Sequence, residues 1–486
     1  MDKRLVYLIS ALVVVSSCLI GLKFWPSEEI IVIPEPEPTP FDFGVQMPNT
    51  TFYHFSDYGD VMNASADNWS IFTGNNTPIF SNGTYYGIGV TTFEPTIGVT
   101  SSGALYMTAW GEGANGATAI IKCTNIREML TISDYSCADV GPPTVPNSND
   151  PYLYVDTWTD RIMKFDMHAL AAMTVEYSDN DGASWSTATP ASGIITPQDH
   201  QTIASVPDPP NWVGPISHPT VWVFCINTGA QGPIGSQCDT SFDGGTTWEG
   251  QVPGHPASTQ CHGLTGHLIG ANDGAIYRGN PSCGGPAAYR SLDGGRTWTE
   301  HTINTETGSA THEVAIATDE ASNVHAFWIG DDKLPYYSYS RDQAVTWSEA
   351  MMVAPPGVTG TGFPTITGGS DGRVAFGYIG QHGNGTWNGY LGMLTDAFAN
   401  NTLITTVAVN APEDPLDDTD DCGYRRCGGF GDFIDVIIDL EGRPWIALAN
   451  NPNGEIGIIG TISEGPALRG DLMPLAPLIP GGPVTL

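Results

Sequence analysis

The sequence predicts an all-β fold, a β-propeller built from four-stranded blades. The first observation behind this prediction is an eight-residue pattern, Ser-x-Asp-x-Gly-x-(Ser/Thr)-Trp, that recurs four times with some substitutions. The second is its spacing, because the tryptophans that end the copies are 63, 50 and 49 residues apart, a period typical of propeller blades. The third is composition, since 58 glycines and 37 prolines supply the many turns that such a fold requires.

Each copy of the pattern has the chemistry of a β-hairpin turn. The acidic or amide residue can accept hydrogen bonds from backbone N–H groups in the turn, glycine permits positive φ, and tryptophan can cover the packed surface nearby. Two copies are complete, while Asn180 replaces Asp in the first and Ala344 replaces Gly in the last. The residues predicted to be structural are Asn180, Trp185, Asp243, Trp248, Asp293, Trp298, Asp342 and Trp347.

This repeat resembles the Asp box, or bacterial neuraminidase repeat, of sialidase-like β-propellers. The resemblance implies a propeller fold and places the boxes at the blade edge, away from any functional site. A narrower resemblance, to exported sialidase-family propellers of unassigned activity, covers about residues 91–462. It is carried by Phe363-Pro364-Thr365-Ile366, by Asp371-Gly372-Arg373-Val374, and by Asp432-Phe433-Ile434-Asp435 after a short loop that contains Cys422 and Cys427.

A second module allows the blades to be counted without the boxes. It consists of a polar residue, an apolar strand, a turn and a second strand that ends in aromatic residues, and it begins seven times between Glu94 and Asp432. We therefore favour seven blades, with six, the sialidase number, as the alternative. The predicted segments are a signal or anchor (1–25), a Pro/Glu-rich tether (26–43), a sequon-rich segment (44–90), the propeller (91–465) and a loosely packed Pro/Gly-rich tail (466–486).

The N-terminus indicates export. An uncharged stretch from Leu5 to Leu22 follows Asp2-Lys3-Arg4, and Val15-Ser16-Ser17-Cys18 resembles a lipobox that would be lipidated at Cys18. The alternative is a short transmembrane signal anchor. Both alternatives place the propeller outside the cytoplasm, attached to the cell surface.

The cysteines agree with export to an oxidising compartment. Apart from Cys18 there are eight, and they lie in the chain as four close pairs. Pairing of neighbours is the simplest of the possible arrangements. It predicts the disulfides Cys123–Cys137, Cys225–Cys238, Cys261–Cys283 and Cys422–Cys427.

The charge limits the partners. Only 14% of the residues are charged, yet the formal net charge is −35. Such a surface repels nucleic acids and anionic membranes, so we expect no nucleic-acid partner and no membrane contact beyond the N-terminal anchor. We expect a monomer that binds a glycan or another cell-surface ligand.

The candidate functional residues follow from the repeat. In a propeller, the innermost strand of every blade starts at the rim of one central channel, so the seven starts converge there. The ionisable residues at these positions could act as acids and bases or bind a metal ion, and those predicted as catalytic are Glu94, His200, His262, His312, Glu313, Asp432 and Asp435. Asp150 and Phe363 occupy the same position in two other blades.

The catalytic residues of sialidases are not identifiable. The resemblance implies three arginines for the substrate carboxylate, one within a Phe-Arg-Ile-Pro motif, but the nearest string is Asp160-Arg161-Ile162-Met163. An exo-sialidase-like glycoside hydrolase is therefore the enzyme class implied by resemblance alone, and a non-catalytic binding, adhesion or assembly scaffold is the alternative. An acidic loop suggests Ca²⁺ as the one cofactor, with Asp417, Asp418 and Asp420 as candidate ligands.

Overall fold

Seven antiparallel sheets surround one central channel in a computed structural model of the chain. All the described residues belong to one unit, residues 42–486. The structure describes residues 51–55, 61–63 and 81–482, with the exception of 114–115, 143–150, 192–197, 229–234, 258–264, 282, 310–312, 356, 383–384, 400–401, 412 and 418–430.

Three strands precede the first complete blade, and each of them joins a sheet formed by the C-terminal part of the chain. They are β1 (Thr51–Phe55), β2 (Val61–Asn63) and β3 (Asn82–Thr91). Blade I then contains β4 (Ile97–Val99), β5 (Leu105–Ala109), β6 (Ala119–Thr124) and β7 (Ser136–Asp139). Blade II contains β8 (Pro151–Val155), β9 (Ile162–His168), β10 (Ala172–Ser178) and β11 (Thr189–Pro190).

The next three blades repeat this order. Blade III contains β12 (Gln198–Val206), β13 (Val221–Thr228), β14 (Ser236–Ser241) and β15 (Val252–Pro253). Blade IV contains β16 (Ile269–Gly270), β17 (Ile276–Asn280), β18 (Ala287–Ser291) and β19 (Thr299–Thr302). Blade V contains β20 (Ala315–Thr318), β21 (Val324–Ile329), β22 (Pro335–Ser340) and β23 (Met351–Met352).

The last two blades close the ring. Blade VI contains β24 (Val358–Gly368), β25 (Val374–His382), β26 (Trp387–Leu394) and β27 (Leu403–Ala408), and β1 and β2 extend its outer edge. Blade VII contains β28 (Asp435–Ile438), β29 (Pro444–Asn450) and β30 (Ile456–Glu464). Its fourth strand is β3, which pairs antiparallel with β30. The prediction of seven four-stranded blades is confirmed.

The ends of the chain differ from the sequence-based division. The sequence places the start of the propeller at residue 91, whereas β3 starts at Asn82 and joins the two ends of the ring. The tail after residue 465 is not loosely packed over its described part. Leu475 and Leu478 are buried, and the Gly481 N–H donates to Thr84 Oγ1 at 2.7 Å. Burial of apolar side chains of the tail against blades VII and I stabilises this arrangement.

The hydrophobic cores lie between neighbouring blades. Phe165 of blade II stacks on Phe224 of blade III with 5.1 Å between ring centroids, and Phe327 of blade V contacts Phe376 of blade VI at 4.8 Å. Alternate residues of each strand face one neighbouring blade or the other, so each sheet is buried on both faces. This packing fixes the angles between blades and therefore the width of the channel.

The Asp boxes connect the third and fourth strands of blades II to V, as expected of a structural repeat. In the box of blade IV, Ser291 Oγ donates to Asp293 Oδ1 at 2.9 Å and accepts the Gly295 N–H at 2.8 Å. The same two bonds occur in the other three boxes. Ala344 occupies the glycine position with φ of 67°. Trp298 is buried, while Trp185, Trp248 and Trp347 are partly buried.

Two of the four predicted disulfides are present within the described chain. Cys123–Cys137 and Cys225–Cys238 each join residues that face each other on adjacent antiparallel strands. Cys283 is disulfide-bonded, and its predicted partner Cys261 lies outside the described residues, as do Cys422 and Cys427. These bonds fit a protein that resides outside the cytoplasm.

Cys18 and the predicted anchor are not among the described residues. Within the part of the chain that the structure describes, no helix is long and apolar enough to span a membrane.

Candidate functional site

The seven innermost strands surround the central channel, and six of them, all but β12, line a cavity of about 330 Å³. These strands are β4, β8, β12, β16, β20, β24 and β28, and each of them starts at the same end of the channel. We call this end the channel mouth. Polar and aromatic side chains at or just before the strand starts are gathered there, as the repeat predicts.

Three side chains form the centre of the mouth, and we call them the mouth triad. They are His200 of β12, His267, which precedes β16, and Glu313, which precedes β20. Their potential ligand atoms all lie within 4.8 Å of one another, and His200 Nε2 is 3.3 Å from Glu313 Oε1. Three blades thus contribute one side chain each to a single cluster.

The backbone of β12 is irregular at His200. The register of β12 shifts between Asp199 and Thr202, and His200 has φ of 55°. Phe363 shows the same combination in blade VI, with φ of 56° next to a register shift between Gly362 and Thr365. Positive φ costs energy for residues with a side chain, and such conformations concentrate at functional sites.

Aromatic rings form one side of the mouth triad. The Phe433 ring lies 4.7 Å from the His267 ring and 5.6 Å from the His200 ring. Tyr152 meets His267 edge to face at 5.2 Å. These contacts fix the planes of both imidazoles and exclude water from that side.

Burial controls the proton affinities in this cluster. Burial lowers the pKa of His267 to about 3, with His200 as a second cause, so this imidazole is neutral. Burial also raises the pKa of Glu313 well above its ordinary value, and the nearby carboxyl groups of Asp432 and Asp435 raise it further. The backbone N–H of His267 partly opposes this rise.

Asp435 has a clear structural role. Its Oδ2 accepts the Ile97 N–H of blade I at 3.1 Å, and its Oδ1 accepts its neighbour's N–H, from Val436, at 2.8 Å. Burial nevertheless raises the pKa of Asp435 to about 7. The first of these bonds connects blade VII to blade I.

The same connection between blades occurs elsewhere in the ring with threonine in place of Asp435. Thr96 Oγ1 accepts the Leu153 N–H at 2.8 Å, and Thr202 Oγ1 accepts the Leu268 N–H at 2.7 Å. One position of the inner strand thus hydrogen-bonds to the next blade. The Thr-Ile pair recurs in three of the modules, as Thr96-Ile97, Thr202-Ile203 and Thr365-Ile366, but this contact can be inferred from it only when the order of the blades is known.

The remaining predicted residues have different outcomes. Glu94 is buried with φ of 50°, and its Oε1 accepts the Asp432 N–H at 2.9 Å, so it also joins blade I to blade VII. Asp150, His262 and His312 lie outside the described residues. His267 is the functional candidate that the sequence-based assignment missed. The repeat predicts His262 as the start of blade IV, five residues before His267 in the chain.

The acidic loop is only partly described. Asp418 and Asp420 lie outside the described residues, and the Asp417 carboxylate accepts a hydrogen bond from Asn451 Nδ2 at 3.0 Å. Among described residues, the mouth triad, and not this loop, is the group of three that could hold a metal ion.

Arginine is rare among the described residues that line the cavity. Among the described residues that line the cavity, the one arginine is Arg469. It pairs with Glu320 at 3.0 Å, and Glu320 follows the end of β20, so this pair lies at the opposite end of the channel. The described part of the mouth therefore contains no guanidinium that could hold an anionic sugar.

Comparison with solved structures finds similar propeller folds. Examples are a protein of unknown function from Dyadobacter fermentans (14% identity, TM-score 0.42, 78% of this chain and 98% of that one) and AofleA from Arthrobotrys oligospora (12%, 0.41, 68% and 90%). A variant of NanB sialidase from Streptococcus pneumoniae is also similar (11%, 0.40, 85% and 95%). The chain is thus structurally similar to sialidase β-propellers, and the similarity concerns the fold. No protein-family model and no curated protein matches the sequence.

Proposed function

We propose that this protein recognises an uncharged carbohydrate at the channel mouth. The observation that carries the proposal is the convergence of the mouth triad from three blades beside the rings of Tyr152 and Phe433. A concave site with aromatic walls and a few convergent polar groups is the usual form of a small-ligand site. Imidazole and carboxyl groups can donate and accept hydrogen bonds with sugar hydroxyls.

Charge supports an uncharged ligand over an anionic one. The carboxyl groups of Glu94 and Asp432 lie at the mouth, while the one arginine among the described cavity-lining residues is at the far end. The formal net charge of −35 adds a repulsive field around the whole molecule. A sialic acid carboxylate would thus meet repulsion without a compensating cation among the described residues.

Glycoside hydrolysis is a second candidate function, favoured by the proximity of carboxyl groups. Asp432 and Asp435 lie close enough to Glu313 to raise its pKa. Hydrolysis of a glycosidic bond generally uses two carboxyl groups, one as acid and one as base or nucleophile. If the site is catalytic, we expect two of these three groups to perform those roles. The alternative, a non-catalytic binding or assembly scaffold, predicts binding without turnover.

A glycan panel tests the ligand class. The full-length chain would be applied to matched pairs of oligosaccharides that differ only in a terminal sialic acid, with binding and product release both measured. We expect binding to the neutral member of a pair and weaker binding to the sialylated member. Preference for the sialylated members would contradict the proposal, and release of a monosaccharide would support the hydrolase over the scaffold.

We also propose that the N-terminus attaches the protein to the cell surface. The support is the uncharged stretch from Leu5 to Leu22, the lipobox-like Val15–Cys18 and the Pro/Glu-rich tether that follows. Cys18→Ser should abolish incorporation of a labelled fatty acid and release the protein from the membrane fraction. Retention of Cys18→Ser in that fraction without label would support the transmembrane anchor instead.

A further inference from the structure

We propose that His200, His267 and Glu313 bind a divalent first-row transition-metal ion, such as Zn²⁺, at the channel mouth. The geometry is the main argument. Ligand atoms about 2.0–2.2 Å from a tetrahedral ion lie about 3.3 Å from one another. His200 Nε2 and Glu313 Oε1 are 3.3 Å apart, and all three ligand atoms lie within 4.8 Å of one another. The third ligand atom, from His267, lies within 4.8 Å of the other two, and ion binding would draw the three atoms closer together.

The buried polar atoms of the mouth triad provide a second argument. His267 Nε2 and Glu313 Oε1 are buried, and neither has an aligned hydrogen-bond partner among the described residues. Glu313 Oε1 contacts His200 at 3.3 Å without the alignment that a hydrogen bond requires. Leaving buried polar atoms unsatisfied is unfavourable, and coordination to a shared ion would satisfy both.

The ligand types select the class of ion. Two imidazoles and one carboxylate suit Zn²⁺ and related transition ions, whereas Ca²⁺ and Mg²⁺ prefer sets of oxygen ligands. The contacts of Phe433 and Tyr152 with His267 would hold its ring in place without competing as ligands.

Three protein ligands leave a fourth position open. In zinc sites of this composition, that position holds water or a substrate oxygen. Because Glu313 and His267 line the central cavity, the open position would face it. A sugar hydroxyl could occupy that position. The metal site itself does not depend on the ligand being a carbohydrate.

Direct metal binding by the full-length chain tests the inference. The protein would be stripped with a chelator and titrated with Zn²⁺ in competition with a chromophoric chelator, and with Co²⁺ while its visible absorption is recorded. We expect one ion per chain and a Co²⁺ spectrum typical of four-coordinate nitrogen and oxygen ligation. His267→Ala and Glu313→Gln should each weaken Zn²⁺ binding at least about 100-fold, more than loss of a hydrogen-bond partner of a ligand usually does.

A matched control and a folding check complete the test. His301→Gln replaces a partly buried histidine on the outer strand of blade IV and should bind Zn²⁺ like the wild type. Zn²⁺ should raise the melting temperature of the wild type and of His301→Gln but not of the two triad variants. Absence of binding by the wild type, or equal binding by folded triad variants, would overturn the inference. Because no sugar is present, neither result depends on the proposed carbohydrate function.

Discussion

His200 Nε2 lies 3.3 Å from Glu313 Oε1, although the two residues belong to the starts of blades III and V. Blade IV separates these blades in the ring, so side chains from their inner strands can meet only at the central axis. The contact is therefore direct evidence that the strand starts converge. It also explains why the functional candidates are far apart in sequence.

The Asp-box tryptophan of blade IV should contribute strongly to stability. Trp298 is 6% exposed, its Nε1 donates to the Gly295 carbonyl at 3.1 Å, and the Arg278 guanidinium lies 5.9 Å from its ring. Trp298→Ala should lower the free energy of unfolding by about 3–5 kcal/mol, through lost burial and a residual cavity. Chemical denaturation measures this. Trp158→Ala, which removes a 38% exposed ring, is the control, and an equal loss in both variants would contradict the structural role.

The acidic residue of the box should be replaceable by asparagine but not by alanine. Asp293 Oδ1 accepts the Thr297 N–H at 2.9 Å, and Oδ2 accepts the Thr297 hydroxyl at 2.6 Å. In blade II, Asn180 makes equivalent bonds, with its Nδ2 donating to Ser184 Oγ at 2.8 Å. We expect Asp293→Ala to cost about 1–2 kcal/mol and Asp293→Asn less than about 0.5 kcal/mol. Thermal unfolding of both variants measures the difference, and equal costs would show that the hydrogen bonds are unimportant.

Asp435 should make stability depend on pH. Its pKa is about 7 in the folded protein and about 3.9 when unfolded, so the native state binds more protons between these values. Stability should therefore fall as pH rises from 4 to 7, by about 4 kcal/mol at most. Glu313 lies in the same region of the mouth, and its raised pKa adds a decrease of stability with rising pH of the same sign. The raised pKa of Tyr152 keeps its hydroxyl group protonated throughout this pH range.

Unfolding of Asp435→Asn across this pH range isolates the contribution of Asp435. Asparagine resembles the protonated carboxyl group, so we expect the free energy of unfolding to change less with pH in this variant than in the wild type. This change with pH is the slope compared below. Asp332→Asn, at an exposed turn, is the control variant. A slope that Asp435→Asn does not reduce would show that this carboxyl group is ionised throughout the range.

The pairing of Cys422 with Cys427 remains a prediction, since both lie outside the described residues. Few residues separate them, and Gly423 allows the loop to turn without strain. Peptide mapping without reduction should recover the two cysteines in one linked fragment. A free thiol at either position would refute this pairing.

The sequence predicts the fold well because the blade repeat is local. Each Asp box carries its own turn chemistry, so Ser291, Asp293 and Trp298 can be recognised without knowledge of distant contacts. The disulfide Cys225–Cys238 is local in the same sense, as it joins adjacent strands of one hairpin. Closure of the ring by β3 is not local. It depends on pairing with β30 at the other end of the chain, and Asn82–Thr91 therefore could not be assigned to blade VII in advance.

The site is less predictable because it depends on the position at which each inner strand meets the axis. A shift of a few residues along the chain replaces His262 by His267 and changes the cluster. The register shift beside His200 shows that the inner strands are irregular at this level. Asp435 shows that the predicted position alone does not indicate a functional role. This ionisable residue lies at that position, yet its carboxyl group accepts a hydrogen bond that joins blade VII to blade I.

Binding of neutral oligosaccharides by three matched proteins tests the central claim that the mouth triad is the ligand site. The wild type, His267→Ala and the outer-strand control His301→Gln would be compared on one panel under identical conditions, after their folding has been confirmed by circular dichroism. The account predicts that His267→Ala loses at least about tenfold in affinity while His301→Gln matches the wild type, since removing a buried polar partner typically costs 1–3 kcal/mol. Equal affinities in all three proteins, or no binding of any neutral oligosaccharide by the wild type, would contradict it.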